Sequence, residues 1–193
     1  MKKTLKVGFD LDGVILYNPI RVFRVISKSL KFIKPVLLKQ KKSPFFIPKT
    51  KLEKNLWFLL HKSSLWPAQG LSELKKMVKN GSIEAYLITS RFDFLADDLT
   101  KWVKKIDGQS IFKKVYYNKK NLQPNLFKEK TINDLHLDYF VEDNWDIIEK
   151  LSRHTKAKII WISNLIDYHI KYPYKFLSLK KAIDFIKQVI SRS

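Results

Sequence analysis

The stretch VGFDLDGVIL, residues 7–16, decides the fold. Its first three residues are apolar or small, as expected of a strand buried in a parallel sheet. Asp10 and Asp12 follow at once, and two carboxylates this close are costly to remove from water unless a partner compensates them. Because ligands of open α/β sheets bind at the carboxyl ends of strands, a cation beside the pair would explain it, and Gly13 would let the backbone turn away. An ordinary Asp/Gly turn after a strand remains the alternative.

The composition is that of a globular protein. A chain of 193 residues with 45% hydrophobic and 13% aromatic content suits one domain with a small insert. No apolar run approaches the ~18 residues that cross a bilayer, and the N-terminal residues lack the cleavage site of a signal peptide. The absence of cysteine excludes disulfides, thiolate metal sites and cysteine catalysis, and we expect a cytoplasmic protein.

The net charge of +20 predicts attraction to anions such as nucleic acid, phosphorylated metabolites or an acidic membrane surface. Nearly all of this charge is lysine, whereas specific base or phosphate recognition favours arginine. The lysines are scattered along the chain, so a general lysine bias of the composition stays open beside a functional polyanion surface. The sequence predicts no particular oligomeric state.

Periodicity after residue 70 predicts alternating strands and helices. Strands are expected over 83–89, 112–117, 138–142 and 158–163, and helices over 94–105, 131–137, 147–151 and from 179 to the C-terminus. This alternation predicts an α/β protein with a Rossmann-like parallel sheet and helices on both faces. Its core would comprise residues 1–16 and 71–193.

Residues 17–70 are expected to form a helical insert in place of a direct crossover to the next strand. Apolar residues at helical spacing predict one helix over 20–32 and a second around 52–60. Between them lies a basic, proline-containing connection, residues 39–49.

Polar residues follow the strand over 83–89. Hydroxyl and free N–H groups at Thr89 and Ser90 suit a phosphate oxygen, and the fork of Arg91 would hold a substrate anion. Phe92 would stack on a base. Helix capping by either hydroxyl, a surface position for Arg91 and core packing of Phe92 remain open.

An acidic pair, Glu142 and Asp143, ends the apolar strand over 138–142. Two acids at a buried strand end need a cation or hydrogen-bond donors. The pair therefore predicts that a second strand end brings acidic side chains to the edge of the sheet where Asp10 and Asp12 lie.

In their order and placement these motifs resemble the haloacid dehalogenase (HAD) superfamily, whose members are mostly phosphatases and phosphotransferases. The resemblance implies a phosphomonoester hydrolase in which Asp10 is the nucleophile and Asp12 the general acid and base. It assigns phosphate binding to Thr89 and Ser90. The lysine of the third family motif falls on Lys128, in the stretch KEKTINDLHLDYFVEDN, with Lys130 as the alternative.

The resemblance also implies a Mg²⁺ cofactor. It would be held by Asp10, by the backbone carbonyl of Asp12 and by Asp143, with Glu142 behind these ligands. Many members carry Asp or Gly where this chain has Glu142, and the longer side chain would lie one methylene nearer the metal or contact it through water. Many members also carry an acid four or five residues after the position of Asp143, whereas Asp146 is three along here, which leaves the outer part of the metal site open.

The insert at 17–70 falls where the family places a small helical cap that covers the site and selects the substrate. Residues expected to face the site, or else to form the core of the cap, are Arg21, Arg24, Phe45, Phe46, Trp57 and Trp66, and for Trp57 packing within the cap is favoured. Loose similarity to the 5′(3′)-deoxyribonucleotidases points to a small phosphorylated substrate such as a nucleoside monophosphate. The alternatives are a phosphatase that acts on nucleic-acid ends and a non-catalytic basic nucleic-acid-binding protein on a HAD scaffold.

Overall fold

A six-stranded parallel sheet forms the centre of the molecule. The computed structural model describes residues 4–19, 45–164 and 167–192, and elements are numbered within these ranges. The strands of the sheet are β1 (Leu5–Phe9), β4 (Ile83–Phe92), β5 (Lys114–Asn118), β6 (Tyr139–Glu142), β7 (Lys158–Ile162) and β8 (Lys175–Phe176). Their order is β5-β4-β1-β6-β7-β8, so β1 lies between β4 and β6.

Helices cover both faces of this sheet. They are α1 (Lys51–Lys62), α2 (Leu71–Lys79), α3 (Ala96–Lys105), α4 (Gly108–Ile111), α5 (Pro124–Leu135), α6 (Trp145–His154) and α7 (Leu179–Arg192). Apolar residues of α2, α3, α4 and α7 pack in one core cluster with β1, while α5 and α6 pack in a second cluster on the other face. The predicted α/β fold with helices on both faces is confirmed.

Glycine at two positions of the opening stretch allows the central strand to pack and to turn. A Cβ at Gly8 would lie 2.6 Å from Leu137 Cδ1 and 2.8 Å from Phe140 Cδ2, so a larger residue would collide with the neighbouring core. Gly13 has φ 84°, in the left-handed region where glycine carries no steric penalty. The backbone turns there, and Gly13 N–H donates to the carbonyl of Leu16 at 2.8 Å.

The insert leaves and rejoins the core through a short antiparallel ribbon. Its strands are β2 (Leu16–Tyr17) and β3 (Trp66–Pro67), with Tyr17 opposite Trp66. The two rings stack with centroids 5.3 Å apart. A small insert after the first strand is thus present, and the predicted second helix is α1. The helix predicted over 20–32 lies outside the described residues.

Two predicted boundaries were wrong, and one strand was missed. The helix predicted over 131–137 begins at Pro124, whose fixed φ suits the first turn of a helix. The strand predicted to end at residue 89 continues to Phe92. The short edge strand β8 was not predicted, because two residues carry no periodicity.

No helix within the described residues has the length and apolar character that a membrane crossing requires.

Candidate active site

One pocket collects the side chains that the sequence singled out. It lies at the carboxyl ends of β1, β4 and β6, which are adjacent in the sheet, so residues distant in the chain meet there. The predicted site residues that line it are Asp10, Asp12, Thr89, Ser90, Arg91, Phe92, Lys128, Glu142 and Asp143.

Three carboxylates form the centre of the pocket. Asp10, Glu142 and Asp143 each place an oxygen within 4.8 Å of the others, and all three side chains are buried. Burial raises the pKa of Asp10 well above its usual range; the charge of Lys128 opposes this, and the two neighbouring acids add to it. The cluster therefore concentrates negative charge where water is largely excluded.

Lys128 supplies the positive charge of this centre. Its Nζ atom lies 2.5 Å from Glu142 Oε2 and 3.0 Å from Asp10 Oδ1, and the side chain is 1% exposed. Burial alone would lower the pKa of Lys128, but the two carboxylates outweigh it and hold the pKa above its usual value. Lys130, the alternative from sequence, is exposed and pairs with Asp134 one helical turn along.

Glu142 is engaged on both oxygens. Oε1 accepts hydrogen bonds from the backbone N–H groups of Asp143 and Asn144 at 2.9 and 3.0 Å, while Oε2 accepts from Lys128. The carboxylate thus orients the lysine and the turn that carries Asp143. The expected place of Glu142 behind the metal ligands stays a prediction.

Asp12 points to a different set of partners. Arg91 donates to both of its oxygens, from Nε at 2.9 Å and from Nη2 at 2.8 Å, and Ser64 Oγ donates to Oδ1 at 2.6 Å. Arg91 also pairs with Asp98 through Nη1. Although burial alone would raise the pKa of Asp12, the charge and hydrogen bonds of Arg91 hold it well below its usual range.

Thr89 and Ser90 line the same pocket, and the pairing of β4 with β5 becomes irregular between Thr89 and Phe92. Such irregularities next to active sites redirect side chains. Ser90 Oγ is buried and has no hydrogen-bond partner among the described residues, whereas Thr89 Oγ1 accepts from the N–H of Arg91 at 3.3 Å. Ser90 therefore has a hydroxyl available for a phosphate oxygen.

Solved structures share this architecture, although no protein-family model and no curated protein matches the sequence. A HAD hydrolase of family IA, variant 3, from Entamoeba histolytica superposes with a TM-score of 0.61 at 14% identity, over 95% of this chain and 100% of that chain. CbbY from Rhodobacter sphaeroides, in complex with phosphate, gives 0.59 at 11% identity, over 93% and 96%. A HAD-superfamily hydrolase from Ehrlichia chaffeensis gives 0.52 at 14%, over 98% and 99%. The fold is that of the HAD superfamily.

The residues of this pocket fit a divalent cation. Carboxylate oxygens are the ligands that Mg²⁺ prefers, and the cluster of Asp10, Glu142 and Asp143 offers them within a short distance. Asp10 Oδ1 is buried and accepts no well-directed hydrogen bond from the described residues, although Lys128 lies beside it. A cation would balance the negative charge on this oxygen. The contribution expected from the backbone carbonyl of Asp12 stays a prediction.

Aromatic residues of the insert also line the pocket. Phe45, Phe46 and Trp57 line it together with Phe92 of the core. The ring of Trp57 lies 5.5 Å from Phe46 and 6.4 Å from Phe92, so it bridges insert and core instead of packing only within the insert. Trp66 stacks on Tyr17 and does not line the pocket. Arg21 and Arg24 lie outside the described residues.

Sequence reasoning missed three residues around Asp12. Ser64 and His61 come from the insert, where no motif marks them; His61 Nε2 lies 3.9 Å from Asp12 Oδ2. Asp98 lies in the first turn of α3. A buried arginine needs acidic partners, so the placement of Arg91 in an apolar strand was the one signal that pointed to Asp98.

Proposed function

We propose that this protein is a Mg²⁺-dependent phosphomonoester hydrolase that works through an aspartyl-phosphate on Asp10. The observation that carries the proposal is the buried cluster of Asp10, Glu142 and Asp143 with Lys128 between two of its members. Such a charged cluster is costly to bury for structural purposes alone. It suits the binding and transfer of a phosphoryl group.

Each side chain has a distinct task in this reaction. An oxygen of Asp10 attacks phosphorus, and the bond from phosphorus to the leaving oxygen breaks as the new bond forms. The proposed role of Asp12 is to give a proton to the leaving oxygen and then to take one from water, which requires its carboxyl group to leave the pair with Arg91 and take up a proton before the first of these steps. That water attacks phosphorus, which releases inorganic phosphate and restores Asp10.

The remaining groups stabilise charge. Lys128 reduces the repulsion between the attacking carboxylate and the phosphate, while Thr89 and Ser90 donate to phosphate oxygens. Asp10, Asp143 and the backbone carbonyl of Asp12 would hold Mg²⁺, which would supply further positive charge against the transferring group. Glu142 keeps Lys128 in position through the 2.5 Å contact.

The proposed catalytic core comprises residues 1–16 and 71–193, and residues 17–70 form the cap. The ribbon of β2 and β3, which closes the insert at its base, supports this division. Another contact joins the insert to the core: the backbone N–H of Phe45 donates to Gln123 Oε1 at 3.2 Å, just before α5.

Among small phosphorylated substrates, a nucleoside monophosphate agrees best with the pocket. Its phosphate would face Asp10 and Lys128, and its base would lie against Trp57 and Phe92, which line the same pocket. Stacking of a base on an aromatic ring contributes about 1–3 kcal/mol in nucleic-acid complexes.

The proposal is tested by a phosphatase screen over nucleotides, sugar phosphates and 3′- or 5′-phosphorylated oligonucleotides, with Mg²⁺ present. Wild type should release phosphate from a subset, and Asp10→Asn should release none. Equal activity of the two proteins would show that Asp10 is not the nucleophile.

The substrate is tested by comparing a nucleoside 5′-monophosphate with ribose 5-phosphate, which lacks the base. Wild type should prefer the nucleotide, and Trp57→Ala should remove that preference by raising KM for the nucleotide. Trp66→Ala is the control, since Trp66 is exposed and lies outside the pocket. A wild type without any preference would be a phosphatase that does not recognise the base, and a preference kept in Trp57→Ala would show that Trp57 does not bind the base.

A second candidate function follows from the charge of +20. A surface this basic would hold the backbone of a nucleic acid whose phosphorylated end enters the pocket, and a non-catalytic binding protein would use the same surface. Hydrolysis of the oligonucleotides above favours the first of these. Oligonucleotide binding that weakens steeply with salt, without hydrolysis of any monoester, favours the second.

A further inference from the structure

His61 is a polar side chain that the insert contributes to the pocket and that the proposed reaction does not use. It lies in the last turn of α1 and lines the pocket. Its side chain is 18% exposed, so most of the ring is shielded from water. An imidazole in such a place can bind a ligand through a ring nitrogen.

One hydrogen bond fixes the orientation of this ring. Nδ1 lies 2.9 Å from the backbone carbonyl oxygen of Trp57. Because a carbonyl oxygen only accepts, Nδ1 carries the hydrogen of this bond. Nε2, the other ring nitrogen, lies 3.9 Å from Asp12 Oδ2, which is longer than a hydrogen bond. The bond at Nδ1 therefore holds Nε2 on the side of the ring that faces Asp12.

His61 lies between the two regions of the pocket that the ends of a nucleotide would occupy. Its ring centroid is 5.9 Å from that of Trp57, the residue proposed to stack on the base. Its Nε2 atom faces Asp12, the residue proposed to act on the leaving oxygen. In a nucleoside monophosphate the sugar connects the leaving oxygen to the base. The part of the substrate nearest to His61 would therefore be the sugar.

We propose that His61 binds a hydroxyl of the sugar through Nε2, so that the enzyme distinguishes nucleotides by the presence of that hydroxyl. The inference rests on the proposed function, which places the phosphate at Asp10 and the base at Trp57. It assigns the middle of the substrate, for which the proposed function names no contact, to one residue of the insert.

A sugar hydroxyl matches Nε2 in either protonation state of the ring. At a neutral imidazole Nε2 accepts a hydrogen bond from the hydroxyl, and at an imidazolium it donates one to the hydroxyl oxygen. The contact therefore does not depend on the charge of His61. Trp57 and His61 are four residues apart on α1 and share one face of the helix, so they can bind adjacent parts of one nucleotide.

The test compares adenosine 5′-monophosphate with its 2′-deoxy and 3′-deoxy forms, which keep the phosphate and the base and each lack one hydroxyl. The quantity measured is kcat/KM for phosphate release with Mg²⁺ present. The ratio of two such values does not depend on the fraction of folded enzyme. A purely structural role of His61 would lower all three values equally and leave the ratios unchanged.

Wild type should lose roughly tenfold in kcat/KM when the hydroxyl bound by His61 is missing, which is the size expected for one hydrogen bond. His61→Phe keeps a ring beside Trp57 and removes both nitrogens, so it should bring that ratio to within about twofold of unity. His154→Phe is the matched control and should keep the wild-type ratio. His154 is also in the last turn of its helix, but it is exposed, pairs with Glu129 and does not line the pocket.

The outcomes separate this inference from the proposed function. Ratios near unity in wild type, or ratios that His61→Phe leaves unchanged, overturn the contact while the hydrolase stands. The same holds if wild type hydrolyses other monoesters but no nucleotide. If His61→Phe does not fold, His61→Leu decides by the same ratios. If wild type releases phosphate from no monoester and Asp10→Asn behaves identically, the proposed function fails and the inference falls with it.

Discussion

At the scale of the residue, Lys128 supplies the positive charge that balances the buried carboxylates of the pocket. Asp10 and Glu142 lie within 3.0 Å of its Nζ atom, and none of the three side chains is more than 8% exposed. Removing one member of a buried ion pair destabilises a protein more than replacing both members by apolar residues. The remaining charge is then left in the interior without water and without its partner. The lysine thus supports the fold as well as the proposed reaction.

We expect Lys128→Met to lower the free energy of unfolding by about 3–5 kcal/mol and to abolish phosphatase activity. Lys130→Met should change stability by less than about 0.5 kcal/mol, because its pair with Asp134 is exposed. Urea unfolding followed by tryptophan fluorescence measures both. Identical unfolding midpoints for the two variants would mean that Lys128 contributes no more to stability than the exposed Lys130.

At the scale of the element, α1 is the helix that carries His61 and leads to Ser64. Its N-terminus is closed by a capping box: Thr50 Oγ1 accepts from the N–H of Glu53 at 3.2 Å, and Glu53 Oε2 accepts from the N–H of Thr50 at 2.9 Å. Leu52, Leu56 and Leu59 are exposed, so this helix has less buried apolar surface than the core helices. Local capping therefore carries an unusual share of its stability.

Thr50→Ala should weaken α1 by about 1 kcal/mol, which corresponds to roughly fivefold faster amide hydrogen exchange over residues 51–62. Thr100→Ala is the control, because Thr100 is an exposed threonine inside α3 and alanine favours the helix interior. Unchanged exchange in Thr50→Ala would show that packing alone holds α1.

The order of the core elements was predictable because each buried strand has its own apolar run between polar turns. Ile83 to Leu87 and Lys158 to Ile162 are such runs, and their alternation with amphipathic helices favours only a parallel sheet. The start of α5 was harder to predict, since its apolar residues Leu126 and Phe127 stand together and four polar residues follow before Ile132, which gives no helical spacing.

At the scale of the whole molecule, the charge of +20 is the dominant feature. Charges within about a Debye length act together on an approaching anion, and that length shrinks from ~30 Å at 0.01 M salt to ~8 Å at 0.15 M. A basic surface around the pocket would raise the encounter rate with phosphorylated substrates at low salt. Lysines spread evenly around the molecule would have a weaker effect.

We expect kcat/KM for a phosphomonoester to fall roughly tenfold between 0.01 and 0.15 M salt, with kcat nearly constant, if the charge guides the substrate. Steady-state kinetics with Mg²⁺ held constant measures this. A kcat/KM that does not depend on salt would favour the general lysine bias of the composition.

The sequence by itself determined the order of strands and helices and the identity of the acids at the strand ends, because burial, alternation and carboxylate spacing are local properties of the chain. It also left Lys128 and Lys130 as alternatives, and only the tertiary structure separated them, since one is buried against Asp10 and the other faces solvent. The pairing of Asp12 with Arg91 and Ser64 was likewise decided by folding: these residues lie 79 and 52 positions away, and the parallel sheet and the returning insert bring them together. Long-range contacts of this kind leave no periodic signal in a single sequence, so the orientation of each side chain in the pocket had to come from the fold.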